Sequence, residues 1–367
     1  MKNKQAHEPL RLGCWHASAS PARSRQAMTA GPNPRTRRRP MKRAVLVGAL
    51  LFGLASLIAL PAYGTHSAAN GPIVFQANVD GFPQLYTIGP NGTGLTQVTH
   101  IAFEGDSPGA EQPNWSPDGT MIIFDSDYQQ TPTHVVSVFT IKPDGSALSK
   151  LPISVGAFDG APAYSPNGTK ISFDQDVGPN KPTVHGIYVA GADGSNPRRV
   201  TTGIKTSNAY DTRSNWSPDG KWIAFTRANN AGLDANFKVR VNGTGLKQLT
   251  PWSMDANNAR WSPDGSKIVF NTYAEPKPGK DANIFTMRPD GTGLVQLTHL
   301  TGGGLQAYVG GWSPDGKQIV FHERTADESQ PGIDQLFVMN ADGSHVRQLT
   351  RMAHGTDPSH AAWGTLG

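Results

Sequence analysis

Short alternating runs of β-branched and aromatic residues recur along the chain, Ile122-Ile-Phe124, Ile171-Ser-Phe173, Ile223-Ala-Phe225, Ile268-Val-Phe270 and Ile319-Val-Phe321. A period of two in such residues predicts a β-strand. Each run follows an aromatic residue and a polar turn: Trp115-Ser-Pro-Asp-Gly119, Tyr164-Ser-Pro-Asn-Gly168, Trp216-Ser-Pro-Asp-Gly220, Trp261-Ser-Pro-Asp-Gly265 and Trp312-Ser-Pro-Asp-Gly316. In this phrase Pro presets φ, Asp tolerates the next turn position and Gly supplies the positive φ that follows, so aromatic and alternating run form a hairpin. About 25 residues later a second hairpin turns at Asn-Gly or Asp-Gly, as in Ile284-Phe-Thr-Met-Arg-Pro-Asp-Gly-Thr-Gly-Leu-Val-Gln-Leu-Thr298. Its last strand ends at Gln97-Val-Thr99, Lys150-Leu-Pro152, Arg199-Val-Thr201, Gln248-Leu-Thr250, Gln296-Leu-Thr298 and Gln348-Leu-Thr350.

Six endings and a period of about fifty residues predict six units of four short antiparallel strands, here A to D from the aromatic strand onward. The fold class is therefore all-β, a six-bladed β-propeller. The ends are out of phase. Ile73-Val-Phe75 is a B strand without an aromatic phrase before it, and Trp363 is an A strand with no B strand after it, so pairing the C-terminal strand with the first blade closes the ring. The aromatics Trp115, Tyr164, Trp216, Trp261, Trp312 and Trp363 repeat in register and are expected to pack between blades.

The phrase W-S-P-D-G, followed by I-x-F and a D-G turn ending in Q-L-T, resembles the TolB-like six-bladed β-propeller repeat over roughly residues 72–367. The family's namesake carries an α/β domain ahead of its propeller; here a few residues separate an export signal from the first strand, so a propeller without that domain is expected. The resemblance implies a partner protein of the cell envelope.

The N-terminus divides the chain into residues 1–64, a basic leader plus signal peptide, and residues 65–367, a single propeller domain. Eleven of the 33 Lys and Arg residues but one acidic residue, Glu8, lie in residues 1–43. An uncharged apolar run, residues 44–60, and the small-residue exit Ala62-Tyr-Gly64 follow, the pattern of a cleaved export signal. Met41 would serve as a start, making residues 1–40 a mis-assigned extension. Residues 36–42 resemble a twin-arginine signal with Pro40 at its usual apolar position, leaving the route open. The expected location is the periplasm or the exterior, with no membrane span after cleavage; retention of the apolar run as an anchor is the alternative.

Charge follows the same division. The whole chain is +5, but without residues 1–43 it holds 22 basic and 27 acidic residues, a net −5. A mildly acidic propeller without a basic run excludes nucleic acid as a partner. The single cysteine, Cys14, lies in the leader, so the domain forms no disulfide, and its size suffices for a monomer with its own core.

AB and CD turns are nearly uniform. Variation lies in the DA and BC connections, which strand alternation puts on one face, so binding is expected there and at the channel mouth. An acidic residue precedes strand A at Glu111, Asp159, Asp211, Asp255 and Asp357. These carboxylates read either as a ring suited to a channel cation such as calcium or as partners of their own DA turns, the latter favoured because blade geometry alone repeats them. No cofactor is otherwise expected. The loop aromatics Phe103, Tyr128, Phe158, Tyr210, Trp252, Tyr273 and Tyr308 suit peptide or sugar stacking, or cap the blade cores. His100, His134, His185, His299, His322, His354 and His360 share the face without any metal-ligand spacing. Gly105-Asp-Ser-Pro-Gly109 matches G-x-S-x-G, but the residue after the serine is Pro108, which has no backbone N–H for an oxyanion hole.

The reading is thus an exported, non-enzymatic module binding a protein or peptide through the DA/BC face. The alternative is a polysaccharide- or peptide-degrading, lyase-like enzyme with a metal in the channel, His322 and Asp357 being its candidates.

Overall fold

A computed structural model describes residues 69–79, 81–102, 109–128, 135–153, 158–176, 186–202, 209–272, 281–301, 304–325, 334–353 and 355–366. The leader, residues 105–108 of the G-x-S-x-G match, Phe103, His134, His185, Tyr273 and His354 lie outside the described residues.

The first strands are β1 (Asn70–Val79), β2 (Phe82–Ile88) and β3 (Thr96–Gln97). Blade 2 holds β4 (Ala110–Trp115), β5 (Ile122–Ser126), β6 (Ser137–Ile141) and β7 (Ser149–Lys150). Blade 3 holds β8 (Phe158–Tyr164), β9 (Lys170–Asp176), β10 (Gly186–Gly191) and β11 (Arg198–Arg199). Blade 4 comprises β12 (Asp211–Trp216), β13 (Trp222–Ala228), β14 (Asp234–Arg240) and β15 (Lys247–Gln248). Blade 5 comprises β16 (Ala256–Trp261), β17 (Ile268–Thr272), β18 (Ile284–Met287) and β19 (Val295–Gln296). Blade 6 comprises β20 (Leu305–Trp312), β21 (Gln318–Thr325), β22 (Gln335–Asn340) and β23 (Arg347–Gln348), and β24 (Ser359–Thr365) pairs antiparallel with β1 to complete blade 1. The predicted fold and closure are both present. Each A strand packs on the A strands of its two neighbours, so the A strands surround the axis.

The I-x-F run does more than alternate. The Phe of every B strand lies opposite an aromatic of strand C and stacks on it, from Phe75–Tyr86 at 5.7 Å to Phe321–Phe337 at 5.7 Å, with the other four pairs at 5.8 Å. The middle residues Val74, Ile123, Ser172, Ala224, Val269 and Val320 are also fully buried. Strict alternation predicts one wet face; here both faces are covered, because a blade lies between two others. The six hydrophobic clusters accordingly each join two adjacent blades, as when Ile123, Val138 and Leu151 of blade 2 meet Ile171, Phe173 and Tyr188 of blade 3.

The polar letters of the repeat have equally local causes. In each AB turn the Ser hydroxyl donates to the Asp or Asn two residues on, at 2.5–2.9 Å, and accepts from the backbone five residues on, as from Gln318 N–H to Ser313 Oγ at 2.9 Å. The Thr of Q-L-T accepts a backbone N–H of strand C in five blades, from Leu85, Ile187, Asn236, Ile284 and Leu336, at 2.8–2.9 Å, extending a D strand only two residues long. Ser313 is fully buried, and Ser313→Ala removes the acceptor of the partly buried Gln318 N–H. A loss of about 1–3 kcal/mol is expected, read as a lower urea midpoint at unchanged m-value.

Candidate functional site

Antiparallel alternation places the starts of the A strands, with the DA and BC connections, on one face, and the AB and CD turns on the other. The five predicted carboxylates reach that face but do not form one ring. Asp211 is held by a bidentate pair with Arg227 on the adjacent strand, Nε to Oδ1 at 2.6 Å and Nη2 to Oδ2 at 2.8 Å. Asp255, at φ 48°, accepts the Asp234 N–H at 2.8 Å, and Asp357, at φ 43°, accepts from Asn78 Nδ2 at 3.1 Å. These three have local structural partners. Glu111 and Asp159 differ, for both belong to an acidic group with Asp125 and Asp174.

Asp125 and Asp174 were not singled out by their sequence, yet the signal is there. The residue directly after I-x-F is polar in all six copies: Gln76, Asp125, Asp174, Thr226, Asn271 and His322. Every A strand also carries a register shift in its pairing with strand B. At these bulges Gln112, Ala161, Arg213, Asn258 and His360 take φ values of 44–58°. The bulge aims a backbone N–H at the polar residue of the preceding blade. Gln112 N–H donates to Gln76 Oε1 at 2.8 Å, Ala161 to Asp125 Oδ2 at 3.1 Å, Asn258 to Thr226 Oγ1 at 2.9 Å and Val309 to Asn271 Oδ1 at 3.2 Å. The Arg213 backbone bonds Asp174 in the same way. This inner ring of acceptors ties blade to blade around the axis.

Its residue identities divide the mouth electrostatically. On blades 2 and 3 burial, then the Asp127 charge, lifts the Glu111 carboxyl to about 7; burial, then the Asp174 charge, lifts Asp159 to about 7. Burial raises Asp174 to about 6, and burial with the charges of Glu111 and Asp174 raises Asp125 well above the usual carboxylate range. Asp125 Oδ1, Asp159 Oδ1 and Asp174 Oδ1 are buried without a hydrogen-bond partner among the described residues. On the other side, burial and Arg213 hold Arg260 at about 10, still charged at neutral pH. Burial and the charges of Arg324 and Arg213 push the His322 imidazole down to about 3; His360 is also lowered, by burial and by Arg213, His322 and Arg260. Both imidazoles are therefore neutral at physiological pH. The Arg213 charge acts on Asp174 as well as on the two histidines.

Among the predicted aromatics, Tyr308 stacks on His322 at 5.1 Å and donates to Gln306 Oε1 at 2.7 Å, while His322 and His360 stand 6.2 Å apart. Tyr210 is 46% exposed. Trp252 packs at 5.6 Å on Phe237 and Tyr128 at 6.2 Å on Phe139, so both cap blade cores. The phrase aromatics pack at blade junctions, where Trp216 Nε1 donates to Ala163 O and Trp312 Nε1 to Arg260 O, each at 3.2 Å. Tyr164 and Trp261 are only half-buried. Among the described residues no three His, Cys, Asp or Glu side chains are arranged to hold a metal ion, and no helix is long and apolar enough to cross a membrane. A cavity of about 690 Å³ opens on the opposite, uniform face, at the AB turns of blades 4, 5 and 6.

Comparison with known proteins agrees with this architecture. The family description TolB beta propeller domain matches residues 153–366. The chain is similar to the dipeptidyl-peptidase 5 of Porphyromonas endodontalis, 32% identical over 31% of this chain and 16% of that one. It is also similar to the Tol-Pal system protein TolB of Anaeromyxobacter dehalogenans, 30% identical over 31% of this chain and 27% of the relative. Both matches thus span well under half the length of these relatives. The structure of a putative TolB from Agrobacterium tumefaciens superposes with a TM-score of 0.59 at 18% identity, covering 81% of this chain and 99% of that one.

Proposed function

From a chain that belongs to the TolB β-propeller domain family, we propose an exported, non-enzymatic binding module that takes a protein or peptide segment at the DA/BC mouth. The division of the mouth into an acidic sector (Glu111, Asp125, Asp159, Asp174) and a basic one (Arg213, Arg260) carries this reading. Three buried carboxyl oxygens without hydrogen-bond partners among the described residues are a standing cost of several kcal/mol that a bound cationic side chain or amino terminus offsets. Arg213 and Arg260 offer donors to a carboxylate or backbone carbonyl a short distance away. Tyr308, held by His322 and Gln306, supplies a rigid aromatic edge to the same mouth. A zwitterionic, extended peptide segment meets all three features together. The Tol-Pal system to which the Anaeromyxobacter relative is assigned is consistent with an envelope protein as its source.

Co-purification from an envelope fraction tests the reading. A partner retained by the wild-type chain should be lost with Arg213→Ala and weakened at least about tenfold with Tyr308→Ala. Trp252→Ala, which removes core packing against Phe237, should change stability more than binding. Retention of every partner by both mouth variants would remove the proposal.

A further inference from the structure

The repeat provides its own internal control for the cavity on the AB/CD face. Its walls come from three consecutive AB turns, Pro218 and Asp219, Pro263 and Asp264, and Pro314 and Asp315, with Trp261 between the first two. Two further wall residues, Trp222 and Lys238, depart from the repeat, both in blade 4. At the start of strand B, where Trp222 stands, the other copies with the phrase have Met121, Lys170, Lys267 and Gln318. In strand C, where Lys238 stands, the others have Thr87, Thr140, Val189, Thr286 and Val338. The departures meet: Lys238 Nζ lies 4.6 Å from the centre of the Trp222 ring, and the Arg240 guanidinium 5.0 Å from it. Blade folding does not require either, since five copies manage without them.

We propose that this cavity is a binding site for a short saccharide. The walls combine flat apolar panels, Trp222, Trp261 and the turn prolines, with closely spaced polar groups of both kinds. Sugar rings have that composition: an apolar C–H face that packs on an aromatic plane, edged by hydroxyls that both donate and accept. Asp219, Asp264 and Asp315 accept from hydroxyls through lone pairs that their turns leave unused, and Lys238 and Lys267 donate. With two lysines against three aspartates the lining is close to neutral, which disfavours a strongly charged ligand. The volume lies in the range of small-molecule sites, about 300–1,000 Å³. Strand polarity puts this site on the face away from the DA/BC mouth, so it is independent of the module proposed above.

Tryptophan fluorescence and calorimetric titration with chitotriose, cellotriose and maltotriose test the site. At least one should bind the wild-type chain. Trp222→Met and Lys238→Thr, which restore residues that other blades use at those positions, should each weaken it at least about tenfold with unfolding midpoints retained. If those variants prove unstable, Lys267→Ala, in an exposed turn, should still weaken binding. Tyr308→Ala, on the other face, should leave saccharide binding unchanged. Absence of binding to all three sugars, unchanged affinity in the blade 4 variants, or loss on Tyr308→Ala alone would each overturn the assignment.

Discussion

Ending the chain at Pro358 is expected to abolish cooperative unfolding, leaving a product that elutes as aggregate rather than as a folded monomer. The truncation removes β24 and the two residues after it, yet β24 is the A strand of blade 1 and the wall between blades 6 and 2. It pairs Ile73 with Trp363 and Val74 with Ala362. Trp363 is buried and donates from Nε1 to Gly71 O at 3.0 Å. Without it β1 presents an open edge and two blade junctions lose their cover, the arrangement in which β-proteins associate edge to edge. Trp363→Ala isolates the packing part and should cost about 3–5 kcal/mol, comparable with much of a domain's total stability. The seam is tight as well. A Cβ on Gly364 would lie 2.8 Å from the Trp115 ring, so Gly364→Val should destabilise by about 1–3 kcal/mol. Trp261→Ala, at a half-buried ring, is the control and should cost less. An undiminished denaturation transition in the truncated chain would show that closure does not hold the ring.

The second large effect has the opposite sign. Asp159→Asn should stabilise the protein at pH 8 and do so far less at pH 4. Burial and Asp174 raise the Asp159 carboxyl to about 7, so the folded state binds its proton more tightly than the unfolded chain does. For a raised group the stability is fully present below the unfolded pKa, about 4. It declines as pH rises through the folded value. The wild-type protein should therefore lose stability between about pH 4 and 7, with Glu111, Asp125 and Asp174 adding to the same slope. For Asp159 the displacement from the ordinary aspartate range amounts to at most about 4 kcal/mol, and relaxation around the charged carboxylate offsets part of it, so a gain of about 2 kcal/mol is expected. Below pH 4 the trend reverses, because Asp264 and Asp315 in the AB turns are lowered despite partial burial and lose their hydroxyl and backbone hydrogen bonds on protonation. Guanidinium denaturation at pH 4, 6 and 8 reads both limbs. A flat wild-type profile, or an Asp159→Asn gain as large at pH 4 as at pH 8, would contradict the acidic group.

Much of this architecture can be read along the chain because each signal is local and repeated. Ser-Pro-Asp-Gly specifies its turn through hydrogen bonds within five residues, and I-x-F specifies a strand whose Phe meets an aromatic in the next. The orphan Trp363 and the unpreceded Ile73 reveal closure because the repeat tells what each lacks. The candidate site was legible only in part. Glu111, Asp159, Asp211, Asp255 and Asp357 look alike in sequence, each an acid shortly before strand A. They separate only when the neighbours are known: Arg227 faces Asp211, while Asp174 of the adjoining strand repels Asp159. The inner ring after I-x-F was visible as six polar letters, but its purpose was not, since the N–H groups it accepts come from the next blade.

By itself, then, the sequence determined the all-β class, the blade count, the turn chemistry and the strand that closes the ring, for these rest on hydrogen bonds and side-chain periodicity within one hairpin. Tertiary structure alone decided which carboxylates are paired and which are repelled, which histidines are neutral, and that a cavity of about 690 Å³ opens among the uniform AB turns. Desolvation and Coulomb interactions act through space, between residues that the propeller brings together from blades about fifty residues apart in the chain.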